Sequence, residues 1–143
     1  MDKMAALAAL RAATSAHIKW RAYAQALIAG VEVSEVNAPV RHTDCVFGKW
    51  YYGEGQQHLG SLASYRDAEV PHQMLHAIYG KIFETLHGPD RRSFLGKIFG
   101  SKAAYQVHQR EQAREHMREL ADASETLLKA LRLVEDEVRA LPD

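Results

Sequence analysis

The chain has 143 residues, 47% hydrophobic and 25% charged, a globular balance that excludes a largely disordered polymer. Its 18 basic residues match its 18 acidic ones, so bulk charge draws it neither to nucleic acid nor to anionic lipid. No apolar run approaches the ~20 residues that cross a bilayer, which argues against membrane insertion, and one cysteine allows no internal disulfide.

That lone thiol fits a reducing cytoplasm. Asp2 and the polar interruptions at Arg11, His17 and Lys19 do not read as a signal peptide. One soluble, cytoplasmic domain over residues 1–143 is the expectation.

Residues 4–29 are rich in alanine and leucine and lack glycine and proline, which predicts a long helix. Leu7, Leu10, Ala13, His17, Trp20, Ala24 and Leu27 recur at steps of three and four along one stripe. His17 lies inside that stripe, and Gly30 supplies a stop. Residues 31–43 read as a loop around Asn37 and Pro39.

From Asp44 to Gly55, the glycines Gly48, Gly53 and Gly55 argue for irregular backbone, with Phe47, Trp50, Tyr51 and Tyr52 as apolar mass around Cys45. A short helix fits Gln56 to Leu59. The next is expected from Ser64 or Asp67 to His87, with Pro71 in its first turns and Gly88-Pro89 ending it. Its stripe is Leu75, Ile78, Tyr79, Ile82 and Leu86, with His72 and His76 along the same side.

Phe94, Leu95, Ile98 and Phe99 lie among Arg91, Arg92 and Lys97, as a short amphipathic helix closing the bundle or as a contact surface. Ser101 caps a last helix to about residue 140. Its seam is Ala113, Met117, Leu120, Ser124, Leu127, Leu131, Val134, Val138 and Leu141. The fold class is therefore all-α: a helical bundle with an irregular Cys/Gly/aromatic segment between the first helix and the His-x-x-x-His helix.

His72 and His76 stand one helical turn apart, so both imidazoles reach one metal ion. With the Cys45 thiolate they make three ligands of a zinc-like site, and His17 is the candidate fourth. Spacing alone leaves open a set of satisfied core histidines and a buried, inert thiol. His42 is a weaker substitute for His17, while His58, His87, His108 and His116 read as solvent-facing or locally bonded. Asp44 or Glu69 could orient a ligand imidazole.

His17-x-x-Trp20, Cys45-x-Phe47-Gly48-x-Trp50-Tyr51 and His72-x-x-x-His76, in that order, resemble the signature of the chemoreceptor zinc-binding (CZB) domain family. The resemblance covers about residues 14–87 and implies a four-helix bundle holding Zn2+ by His17, Cys45, His72 and His76. Trp20, Phe47, Gly48 and Trp50 would then surround the ligands. It also implies a bacterial, homodimeric regulatory domain that acts on an output module of the chemoreceptor or diguanylate cyclase type. No such module precedes Asp143, so a free-standing sensor or a fragment of something longer is expected.

Cys45 is the expected redox-sensing atom, responding to an oxidant such as hypochlorite or to zinc supply. An interaction module with purely structural zinc is the alternative. A hydrolase ranks last: four protein ligands leave no open position, and Gln73 stands where a His-Glu-x-x-His helix has its base.

Overall fold

The computed structural model describes residues 2–143, and among them every regular element is helical. The helices are α1 (Lys3–His17), α2 (Trp20–Ile28), α3 (Val46–Trp50), α4 (Gln56–Leu59), α5 (Ala63–Asp67), α6 (Glu69–His87), α7 (Phe94–Phe99), α8 (Lys102–Glu115) and α9 (Met117–Ala140). A π-helical turn, Tyr51–Gly55, joins α3 to α4.

The long first helix of the sequence reading is one rod broken after His17. Backbone at Ile18 and Lys19 stays in the right-handed region, so α2 continues the direction of α1 with a loosened turn. The Thr14 hydroxyl donates to the Leu10 carbonyl, a back-bond that bends helices. The last helix is likewise two pieces, relaxed at His116. Ser101 does cap α8, its hydroxyl oxygen accepting from the Ala104 N–H at 3.2 Å. Gly30, at φ 86°, ends α2 with the Val31 N–H reaching back to the Ala26 carbonyl, a closure that favours glycine.

Lys3 donates to the Leu141 carbonyl at 2.7 Å and Arg11 pairs with Glu135 at 2.9 Å, so α1–α2 runs antiparallel to α8–α9. The Ser64 N–H meets Glu137 at 3.2 Å, and Gln109 donates to the Thr85 carbonyl at 3.0 Å, so α6 also runs antiparallel to α8–α9. Three long rods thus form an all-α bundle, and the short pieces α3 to α5 fill its fourth side.

The predicted stripes are the core. Leu7, Leu10, Ala13, Trp20, Ala24 and Leu27 face Leu75, Ile78, Tyr79 and Ile82 and the Leu120, Leu127, Leu131, Val134, Val138 seam, all buried. Each large apolar side chain so buried contributes roughly 1.5–3 kcal/mol. The irregular segment is fastened by two tyrosines. Tyr51 donates to the Tyr65 carbonyl at 2.7 Å, Tyr65 donates to the Tyr51 carbonyl, and their rings stack. Phe94 to Phe99 do not close the bundle; that helix has no buried residue.

Candidate metal centre

His17 ends α1, where the stripe turns inward, and His72 and His76 project from successive turns of α6. Cys45 is the N-cap of α3: its backbone is extended, and its sulfur accepts from the Gly48 N–H at 3.2 Å. Its S–H faces the His42 carbonyl at 3.3 Å. Gly48 is required there because a Cβ would sit 1.8 Å from the His42 carbonyl oxygen.

These elements bring His17, Cys45, His72 and His76 together. All four are buried, and their donor atoms lie within 4.8 Å of one another. Cys45 Sγ is 3.3 Å from His72 Nε2 and 4.0 Å from His17 Nε2. A tetrahedral zinc of ordinary bond lengths has donor–donor edges of about 3.3–3.6 Å, so modest inward shifts fit the ion.

Backbone carbonyls set the imidazole orientations. His17 Nδ1 donates to the Ala13 carbonyl at 2.8 Å; His76 Nδ1 donates to those of Pro39 and Val40 at 3.0 and 3.2 Å. Both Nε2 atoms are thereby left as unprotonated lone pairs, the form a metal takes. His76 Nε2 is buried with no hydrogen-bond partner, an orphan acceptor of the kind folded proteins avoid unless something fills it. The donor chemistry fits zinc.

Burial holds the imidazoles neutral. His72 is pushed down to about 2, by burial first and then by His76, His17 and His42; His76 falls to about 4, by burial and then His17. His17 is lowered by burial against the pull of the Ala13 carbonyl. Burial raises the Cys45 thiol, with the Gly48 N–H opposing it. In the metal-free chain Cys45 is therefore a thiol, and a metal must displace its proton.

A pH dependence follows for the metal-free chain. The unfolded imidazoles protonate near pH ~6.5, whereas folded His76 and His72 resist until pH falls to about 4 and about 2. The unfolded state thus binds more protons in that window, so stability present above pH ~6.5 is lost as pH falls through it. By pH ~5 the expected loss is about 2 kcal/mol for each imidazole. Urea midpoints of the chelated chain at about pH 7.5 and about pH 5 measure it; equal values would sink the neutral-imidazole reading.

Trp20 stacks on His17 at 5.9 Å and turns its ring against His76 at 4.4 Å. Phe47 meets His72 edge-on at 4.9 Å, and Trp50 backs Phe47 at 6.0 Å without facing an imidazole. The carboxylates do not orient the imidazoles: Asp44 pairs with Arg41, and Glu69 accepts from Gln73. The carbonyls of Ala13, Pro39 and Val40 do so instead, and backbone acceptors leave no side-chain trace in a sequence. His42 sits beside the cluster, 5.8 Å from the His72 ring, but outside the four-residue group. His58, His87 and His108 are exposed, and His116 faces Glu119 at 3.8 Å.

A surface groove of about 350 Å³, lined in part by Ala13, Ala16, Trp20 and Trp50, reaches His17 and Cys45. Among the described residues no helix is long and apolar enough to cross a membrane. No curated protein and no solved structure matches the chain. Residues 17–83 match the family model described as the chemoreceptor zinc-binding domain, spanning all four grouped side chains. Over that segment, just under half of its length, the chain is similar to the chemoreceptor zinc-binding domain family.

Proposed function

We propose that this chain is a regulatory domain in which His17, Cys45, His72 and His76 hold Zn2+ and Cys45 senses oxidant or zinc supply. The observation that carries the reading is the buried convergence of three imidazoles on one thiol, with His76 Nε2 left unpartnered. Residues 1–143 act as one domain: α9, outside the matched segment, packs on α1, α2, α5 and α6. The buried free thiol supports a reducing, cytoplasmic setting. Four protein donors leave a tetrahedral ion no position for a reacting water, so the function is regulation rather than hydrolysis.

Zinc, when bound, holds the Cys45 sulfur as a thiolate, the form that an oxidant attacks. With hypochlorous acid the sulfur gives up two electrons, oxygen ends on sulfur as a sulfenic acid, and chloride leaves. The added oxygen crowds a sulfur that lies 3.3 Å from His72 Nε2 and 3.2 Å from the Gly48 N–H. The α3 cap then loosens. Because α3 packs on α1, the change passes to a long rod of the bundle and so to a homodimeric partner or an output module. The groove beside Ala16 is the oxidant's approach.

One observation favours the alternative of purely structural zinc: Cys45 is only 7% exposed. Oxidant separates the two. The zinc-loaded chain is titrated with hypochlorite beside a chromogenic chelator, with Cys45→Ala as control. Zinc release in proportion to oxidant, absent from whatever zinc the variant retains, is expected. Zinc that stays bound while Cys45 oxidises would leave the structural role, and a chain that takes up no zinc would end both readings.

A further inference from the structure

The metal centre leaves one conspicuous feature of the molecule unused. Between α6 and α8 the chain turns through α7, whose Phe94, Leu95, Ile98 and Phe99 are 77%, 63%, 56% and 83% exposed. At 100° per residue these four fall on one side of the helix, and Lys97 falls on the other. Among the described residues no other helix packs lengthwise on α7. Isolated exposed apolar residues are ordinary; four large ones forming one face mark a contact surface.

This surface is held in place rather than loosely attached. Ser93 caps α7, its hydroxyl oxygen accepting from the Gly96 N–H at 3.0 Å. Arg91 pairs with Glu84 of α6 at 2.9 Å, and its N–H donates to the Tyr105 hydroxyl of α8 at 3.3 Å. Arg92 lies over the Tyr105 ring at 5.0 Å while pairing with Asp90 at 2.8 Å. The apolar face is therefore presented preformed, at little ordering cost to whatever covers it.

Charge decides the occupant. The chain as a whole balances 18 bases against 18 acids, but beside α7 Arg91 is paired with Glu84 and the largely covered Arg92 with Asp90, so the exposed Lys97 and Lys102, in no ion pair among the described residues, are the cations that flank this face. A second copy seated on this face through a two-fold axis would bring the same cations together, which disfavours self-pairing. A helix of six residues is also too short to lay a row of anchors along a protein groove. Its two phenyl rings and two branched aliphatic side chains instead suit the headgroup–acyl boundary, into which an interfacial apolar face sinks by roughly 5–10 Å with cations at the level of anionic headgroups.

We propose that α7 is a peripheral anchor that rests the domain on an anionic lipid surface: Phe94, Leu95, Ile98 and Phe99 enter the headgroup boundary, and Lys97 and Lys102 meet the acidic headgroups. This is contact with one leaflet, not a span. It places the domain beside a membrane, and it is independent of the metal reading.

The test is co-sedimentation of the full zinc-loaded chain with phosphatidylcholine vesicles containing about 30% phosphatidylserine, and with phosphatidylcholine alone. Binding to the acidic vesicles is expected to be about tenfold or more the stronger, and to fall steeply in about 0.5 M salt. F94S/F99S should lose most of it, and K97E/K102E should lose its preference for acidic lipid. All four positions are exposed, so the variants should keep their zinc content and helical circular dichroism. Absence of vesicle binding in the wild type, or equal binding by F94S/F99S, would overturn the proposal. So would a dimer in sedimentation equilibrium that F94S/F99S dissociates while vesicle binding is absent, which would assign α7 to self-association.

Discussion

His76→Ala should abolish most of the stability the chain gains from zinc and weaken the fold even without it. His76 supports the structure in two separable ways. Its Nε2 is the orphan acceptor of the buried His/Cys cluster, and its Nδ1–H ties the loop at Pro39 and Val40 to α6. Removing the ring leaves two buried-side carbonyls short of a donor, about 1–3 kcal/mol. It also opens a cavity at a position 2% exposed, costing roughly 2–4 kcal/mol on the scale of large-to-small core changes.

The metal contribution adds to this only when zinc is present. At free zinc about 1,000 times the dissociation constant, the ion stabilises the folded chain by about 4 kcal/mol. In a domain of this size that corresponds to roughly 10–15 °C of thermal midpoint. Thermal scans of wild type and His76→Ala, each with zinc and with chelator, separate the parts. The zinc-dependent gap should be large in the wild type and shrink by more than half in the variant. The chelated variant should also unfold below the chelated wild type. An undiminished zinc gap would remove His76 from the ligand set.

The parts of this arrangement that a sequence discloses are those written in side-chain spacing. The stripe from Leu7 to Leu27 and the seam from Ala113 to Val138 state which faces are buried, because a helix repeats every three to four residues whatever its partner. His17 interrupts an otherwise apolar stripe, and a polar residue there asks for a partner. Cys45-x-Phe47-Gly48 encodes a cap whose sulfur is pinned by the Gly48 amide.

Other features have no such record. The loosened turns at Ile18–Lys19 and His116 use residues fully compatible with a continuous helix, so tertiary packing decides them. The imidazole orientations depend on the carbonyls of Ala13, Pro39 and Val40, and every residue has a carbonyl. Amphipathicity in Phe94 to Phe99 predicts an apolar face but not what covers it. The bundle leaves that face open.

Gly48→Ala should destabilise the domain by about 3 kcal/mol or more, against the sign that helix propensity alone gives. Gly48 occupies the third position of α3, and alanine at an unconstrained helical site is worth about 1 kcal/mol over glycine. Here the added Cβ would lie 1.8 Å from the His42 carbonyl oxygen, 2.9 Å from its carbon and 3.2 Å from Thr43 Cα. Those atoms are backbone, so no rotamer change relieves the clash. Either the 42–43 turn or the first turn of α3 must move by more than an ångström, beyond the usual cost of roughly 1–3 kcal/mol for overpacking.

Either movement pulls on Cys45. Its sulfur is held between the Gly48 N–H and the His42 carbonyl, the two groups that the methyl forces apart. Loss of the cap adds about 1 kcal/mol, and displacement of the sulfur should weaken zinc binding by about tenfold or more, as changes around ligands commonly do. Lys49→Ala, at the exposed neighbouring position, should stay within about 0.5 kcal/mol of wild type. Urea unfolding gives the stability difference, and competition with a fluorescent zinc indicator gives the affinity. An alanine variant as stable as wild type, with unchanged zinc affinity, would show that the turn before Cys45 yields freely. The close approach of His42 to Gly48 would then have no part in placing the thiol.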